Sequence, residues 1–97
     1  MRKYEIMFIV RTDIDENTQK DVVSSLEKIF ADFKANITLS KEIGQKELAY
    51  EINKHKTGYY YLYNIEVEDD NCVKEFDRVA KINENVIRHL IIRLDEE

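Results

Sequence analysis

Apolar side chains recur along this chain with two periods, and the switches between them mark out six elements. Tyr4 to Val10 is a short run rich in branched and aromatic residues, the pattern of a largely buried strand. Thr12-Asp13-Ile14-Asp15 breaks that pattern, and either Asp13 or Asp15 can act as a helix N-cap by accepting an orphan backbone N–H. Val22, Val23, Leu26, Ile29, Phe30 and Phe33 then share one face of a helix. Lys34 suits the negative end of its dipole, and Asn36 is the expected turn residue after it. Residues 36–52 read as one strand bent near Gly44, followed by a polar, basic hairpin loop at Asn53–Gly58. In the next strand, Tyr59–Val67, the odd positions Tyr59, Tyr61, Tyr63, Ile65 and Val67 take one face. Tyr60, Leu62, Asn64 and Glu66 take the other, wetter one. Asp69 or Asp70 can cap a second helix striped with Val73, Phe76, Val79 and Ala80. Asn83-Glu84-Asn85 ends that helix, and Val86–Leu94 is the last strand, in which His89 has apolar neighbours on both faces, leaving its direction open.

Two helices with one apolar stripe each cannot bury those stripes alone. In the order strand, helix, strand, strand, helix, strand, both must cover one face of a four-stranded antiparallel sheet. The expected fold is an α+β, ferredoxin-like βαββαβ sandwich with strands one and three central. It forms a single domain over residues 1–94, with a short acidic tail at 95–97. One sheet face is left uncovered, and a partner is expected on that face or its rims.

Composition narrows the function. Hydrophobic residues make up 43% and charged residues 36%, the balance of a soluble globular chain, and the apolar runs fall far short of the roughly 20 residues that span a bilayer. The start, Met1-Arg2-Lys3-Tyr4-Glu5, enters strand-like sequence without the pattern of a signal peptide. A lone cysteine, Cys72, forms no intrachain disulfide and no thiolate metal cluster, which favours the reducing cytoplasm. Net charge is −5, yet the strand segments are basic: +2 over residues 1–11, +1 over 41–58 and +2 over 87–93. The helices and tail carry the acidity, and a polyanion responds to the patch it meets within a Debye length of about 8–10 Å.

Catalytic chemistry is sparse. His55, His89 and Cys72 stand at no recognisable catalytic or metal-ligand spacing, and Gly44 and Gly58 alone cannot build a phosphate cradle. Glu68-Asp69-Asp70 reads as capping at a helix start, not a cation site. No catalytic residue, metal or cofactor is therefore expected. Residues 57–64, Thr-Gly-Tyr-Tyr-Tyr-Leu-Tyr-Asn, match the RNA recognition motif at Gly58, Tyr59, Tyr61 and Leu62 but not at Thr57, Tyr60 and Asn64. Most of these tyrosines are expected in the core.

Gly44-Gln45-Lys46-Glu47-Leu48-Ala49-Tyr50-Glu51-Ile52-Asn53 resembles the signature of the bacterial small-subunit ribosomal protein S6 family. Met1-Arg2-Lys3-Tyr4-Glu5-Ile6 and Asn85-Val86-Ile87-Arg88 are similar to the same family at its two ends, so the likeness runs from residue 1 to about 94. Glu51 departs from it where proline is frequent. The resemblance implies a structural constituent of the small subunit that binds the central domain of small-subunit rRNA together with ribosomal protein S18. It implies no catalysis, no small-molecule substrate and no membrane. Carried across by position, Arg2, Lys3, Tyr4, Lys46, Lys54, His55, Lys56 and Arg88 become the candidate RNA-binding residues. Lys46 has an equally good explanation as a guard against edge-to-edge aggregation. Leu48 and Tyr50 are expected to serve packing and strand geometry. Two other classes share the fold. A ligand-sensing regulatory module would show glycine-rich turns. An acylphosphatase-type enzyme would need an anion cradle near Arg11, where Asp13 and Asp15 instead bring negative charge.

Overall fold

A computed structural model describes residues 2–52 and 55–94, and the six elements occur in the expected order. They are β1 (Arg2–Val10), α1 (Glu16–Asp32), β2 (Asn36–Ile52), β3 (His55–Val67), α2 (Asn71–Ile82) and β4 (Val86–Arg93). The strands form one antiparallel sheet in the order β2-β3-β1-β4, with β1 and β3 central as a ferredoxin-like sandwich requires.

The inward-facing residues of the central strands build the core. Ile6, Phe8 and Val10 of β1 and Tyr61, Tyr63 and Ile65 of β3 pack against Leu26 and Phe30 of α1 and Cys72 and Phe76 of α2. The Phe8 ring stacks near Tyr61 and Tyr63, at 5.1 and 5.8 Å, while Phe30 and Phe76 stack at 5.6 Å and join the two helices. Such pairs contribute about 0.5–1.5 kcal/mol beyond their burial. The buried Tyr61 hydroxyl accepts a 2.6 Å hydrogen bond from Gln19 Nε2, so its polar tip is satisfied. The odd-numbered face of β3 is thus the inner one.

Local chemistry sets the boundaries. Asp15 caps α1, accepting the Thr18 N–H at 2.7 Å. The left-handed residue after α1 is Lys34 (φ 56°), not Asn36. Ala35 N–H reaches back to the Phe30 carbonyl at 2.8 Å, the closure of a Schellman turn, and Asn36 already belongs to β2. Phe33, as the C-cap, lies past the last full turn and is 42% exposed, so the core stripe stops at Phe30. At α2 the cap position is Asp70, but the carboxylate that accepts a backbone N–H is Asp69, from Asn71 at 3.0 Å. β3 begins at His55, so strand pairing replaces most of the loop expected at Asn53–Gly58.

β2 is the long edge strand, and its ladder to β3 shifts register between Ile37 and Leu39, between Glu42 and Gly44, and between Glu47 and Ile52. Gly44 has φ 101°, a region that favours glycine, and the second shift falls at this residue. The shift has a geometric consequence. Lys41 lies opposite Leu62 and Lys46 opposite Gly58, and both of those partners are on the uncovered face. Five residues apart, the two lysines would point to opposite faces of a regular strand; the bulge brings them to the same one.

Candidate nucleic-acid interface

Cross-strand partners present their side chains to the same side, so the register lays out the uncovered face row by row. One row runs Gly44, Tyr60, Ile9, Arg88; the next Lys41, Leu62, Met7, Leu90; the next Leu39, Asn64, Glu5, Ile92. Lys3 and Glu66 pair at the far end, and Lys46 and Gly58 at the hairpin end. Lys56, two residues before Gly58 in β3, has the same side by alternation. An apolar row of Leu62, Met7 and Leu90 therefore crosses the face, with Leu39 exposed at the β2 edge and Leu90 and Ile92 exposed at the β4 edge. The margins of the face carry Lys3, Lys41, Lys46, Lys56 and Arg88.

These five cations differ from those elsewhere in the molecule. Lys20 pairs with Glu16, Lys74 with Asp70, Arg78 with Glu75 and Lys81 with Asp77, at 2.7–3.3 Å and three or four residues apart. Arg11 clasps Asp13 through two hydrogen bonds of 2.6 and 2.8 Å, and the guanidinium pulls that carboxyl down to about 2. Lys28 and Lys34, on and just after α1, are the exceptions on the helical side. Among the described residues, none of the five cations on the open face has a carboxylate within 4 Å. Glu5 and Glu66 share the face, and Glu66 accepts a hydrogen bond from Asn36 Nδ2 at 3.0 Å.

Of the residues singled out by sequence, Lys3, Lys46, Lys56 and Arg88 come together on this face. Arg2 does not: it sits opposite Val67 on the helix-covered side, 3.9 Å from Asp70. Tyr4 is 6% exposed and packs in the core. His55 lies on the covered side of the hairpin, close enough to Asp13 to help lower its pKa. Lys54 lies outside the described residues. Lys41 was missed by sequence reading because the bulge at Gly44 hides its alignment with Lys46; its spacing of two from Leu39 was the available signal. Tyr50 overturns an expectation outright. Its ring does not pack but stands 83% exposed near the hairpin end.

Other groups offer little chemistry. Burial, with a smaller contribution from Asp69, pushes the Cys72 thiol up to about 11. That is the reverse of an activated cysteine. His89 points to the covered side, where its Nε2 is 2.7 Å from Asp77 Oδ1 and its ring meets Phe76 edge-on. Between α1 and β2 runs a groove of about 590 Å³ lined by Glu16, Glu27, Glu42, Tyr59 and Tyr61 among others. Neither histidine nor the cysteine lines it.

The family model for ribosomal protein S6 matches residues 3–93. The chain belongs to the ribosomal protein S6 family. It is 48% identical over 93 residues to small ribosomal subunit protein bS6 of Phytoplasma australiense, covering 96% of this chain and 99% of that one. The crystal structure of 30S ribosomal protein S6 from Thermotoga maritima superimposes with a TM-score of 0.88 at 26% identity, covering 96% of this chain and 87% of the other. The resemblance carried by Gly44–Asn53 and by the two chain ends therefore points to the family the whole sequence belongs to. As an S6-family member the chain is a structural protein of the small ribosomal subunit and works in the cytoplasm.

Proposed function

We propose that this S6-family chain binds the central domain of small-subunit rRNA jointly with ribosomal protein S18, and that it catalyses no reaction. The observation that carries this reading is the division of its cations. Those on α2, two of the four on or near α1 (Arg11 and Lys20), and Arg2 have a carboxylate close by, whereas Lys3, Lys41, Lys46, Lys56 and Arg88 surround the open sheet face without one among the described residues. Each can take a phosphate oxygen and release the counterion condensed there. Such contacts position a protein on RNA without reading its sequence. Shape and the composite surface with S18 then supply specificity.

The apolar band between the cations suits the protein side of that composite. Leu39, Leu90 and Ile92 present aliphatic surface, and among them Asn64 Oδ1 is buried with no hydrogen-bond partner among the described residues.

Salt titration of binding to a central-domain transcript, with S18 present, tests the assignment. Five phosphate contacts give a slope of log K against log salt of about −3.5 to −4.5, counting roughly 0.7–0.9 per contact. The double change Lys46→Ala with Lys56→Ala should flatten that slope by about 1.4–1.8 and weaken binding. An unchanged slope and affinity in the double variant would remove the open face from the RNA interface.

A further inference from the structure

The chain has six tyrosines, and five of them are placed by the sheet. Tyr4, Tyr61 and Tyr63 are buried in the core, and Tyr59 and Tyr60 are half-buried on β3. Tyr50 alone is exposed, and at 83% it is the most exposed large apolar side chain among the described residues. Its hydroxyl has no hydrogen-bond partner among them either. Neither fold stability nor a polar contact within the domain accounts for a ring held there.

Lys46 and Lys56 lie in the two strands of the same hairpin. Lys46 and Leu48 precede Tyr50 in β2, and the ladder to β3 shifts register between Glu47 and Ile52, so Tyr50 stands in the irregular part of the strand. Leu48 is fixed on the open face, since its Cδ2 lies 3.7 Å from where a Cβ on Gly58 would stand. Lys46 faces the same way opposite Gly58, and Lys56 is two residues before that glycine on β3. Alternation turns Glu47 the other way, opposite Thr57, whose hydroxyl bonds to that of Thr12 at 2.9 Å on the covered side. Four residues of chain separate Lys46 from Tyr50, at most about 14 Å, within the combined reach of a lysine side chain and an aromatic ring.

We propose that Tyr50 is a stacking platform for one unpaired base of the bound RNA, with Lys46 and Lys56 holding the phosphates beside that nucleotide. A flat aromatic surface accepts any base, and flanking cations fix the backbone that carries it. A protein partner would call for contiguous apolar surface. The exposed aliphatic groups, Leu39, Leu90 and Ile92, lie in the rows away from the hairpin end, whereas Tyr50 is preceded in sequence by Lys46 and Glu47 and followed by Glu51. This inference rests on the RNA-binding reading above and adds to it a single-stranded nucleotide at a defined place.

The chain contains no tryptophan, so Tyr50→Trp creates a single indole reporter at the site. The probe is a central-domain rRNA transcript titrated in the presence of S18. Tyr50→Ala and Tyr50→Leu should each weaken binding about 5- to 100-fold, while Tyr50→Phe and Tyr50→Trp should stay within about threefold of the parent. Indole emission of the Tyr50→Trp variant should be quenched on RNA addition and left unchanged by S18 alone. Equal urea midpoints across the set would exclude a folding defect. If Tyr50→Ala binds RNA like the parent, with salt dependence intact, the stacking role is overturned while the RNA-binding reading survives. If Tyr50→Ala instead weakens S18 binding in the absence of RNA, the ring is a protein contact and the proposal falls. If the parent itself shows no salt-dependent RNA binding, the reading beneath it fails first.

Discussion

Gly58 is the position at which a single added methyl group should most clearly disturb this sheet. It is buried on the otherwise open face, where the Ile9 side chain lies over it from the neighbouring strand. A Cβ built at residue 58 would fall well inside the van der Waals envelope of Ile9 Cγ2, with Leu48 Cδ2 and the Val10 carbonyl both at 3.7 Å on its flanks. Ile9 cannot swing clear easily: it is branched at Cβ, and at 4% exposure it is already enclosed. Forcing a methyl into such a site costs about 1–3 kcal/mol. Loss of unfolded-chain entropy on replacing glycine returns about 0.4–1 kcal/mol. The net expectation for Gly58→Ala is a destabilisation of about 1–2 kcal/mol. For a domain of this size that lowers the melting temperature by roughly 4–16 °C. Urea denaturation should show a lower midpoint at unchanged slope. The second arm is a double-mutant cycle with Ile9→Ala, which removes the clashing γ-methyl. Ile9→Ala alone should cost about 2–5 kcal/mol, but distinctly less when residue 58 is alanine, giving a favourable coupling near 1 kcal/mol or more. A neutral Gly58→Ala, or a strictly additive cycle, would show that the two side chains do not compete for the same space.

Four further outcomes follow from the same geometry. Lys34→Gly should raise stability by about 0.5–1 kcal/mol in urea melts, because a non-glycine residue is held at φ 56° after α1. Gly44→Val should destabilise more than Gly44→Asn, since φ 101° strains a branched residue most; no side chain lies within 4 Å, so equal costs would refute a backbone origin. Cys72 should react with a thiol reagent at pH 8 far more slowly in the native state than in urea, because a thiol at about 11 is ionised there to only about one part in a thousand. Asp77 has a lowered pKa, chiefly from its hydrogen bond with His89 and then from Lys81. Its contribution is present above the ordinary carboxylate range near 4 and is lost as pH falls through the lowered value. The gap in urea midpoint between the parent and Asp77→Asn should therefore be clear at pH 5 and narrow progressively as pH falls below about 4.

Most of the fold was legible because its signals are periodic. The tyrosine alternation in β3 assigns inner and outer faces without reference to any other strand, and the Val22–Phe30 stripe defines α1 in the same way. The misplaced details are those decided by a single backbone angle or a register. Nothing in composition distinguishes Lys34 from Asn36 as the left-handed residue; asparagine has the better intrinsic propensity, and closure onto the Phe30 carbonyl overrides it. The direction of His89 depends on its pairing with Phe8 across β1, a long-range fact invisible to the last strand's two-sided apolar pattern. The candidate interface was partly legible for the same reason. Lys3 lies in a regularly paired stretch, whereas Arg88 sits beside a register shift between β1 and β4, and Lys41 and Lys46 meet only through a bulge. Tyr50 resembles core because strand aromatics usually are, whereas it lies near the hairpin end, beyond the reach of the helices.

A chain of net charge −5 can bind a polyanion only if its fold separates the charges, and the separation here has a simple mechanical basis. Helical spacing sets acids and bases three or four residues apart on the same solvent-facing stripe, where they neutralise each other locally; α2 does this three times in succession with Asp70–Lys74, Glu75–Arg78 and Asp77–Lys81. Strand alternation works the other way. Neighbours in sequence go to opposite faces, so Lys46 and Glu47 part company, as do Lys3 and Tyr4. The covered face selects against charge through burial, and the open face retains it. Cations on the outer positions of four strands thus accumulate on one surface although β2 carries more acids than bases and β3 carries one of each. The bulge at Gly44 extends that accumulation past the point where strict alternation would have turned Lys46 toward the covered side and Glu47 toward the open face. One residue of register in β2 therefore decides the sign of charge at the hairpin end of the open face.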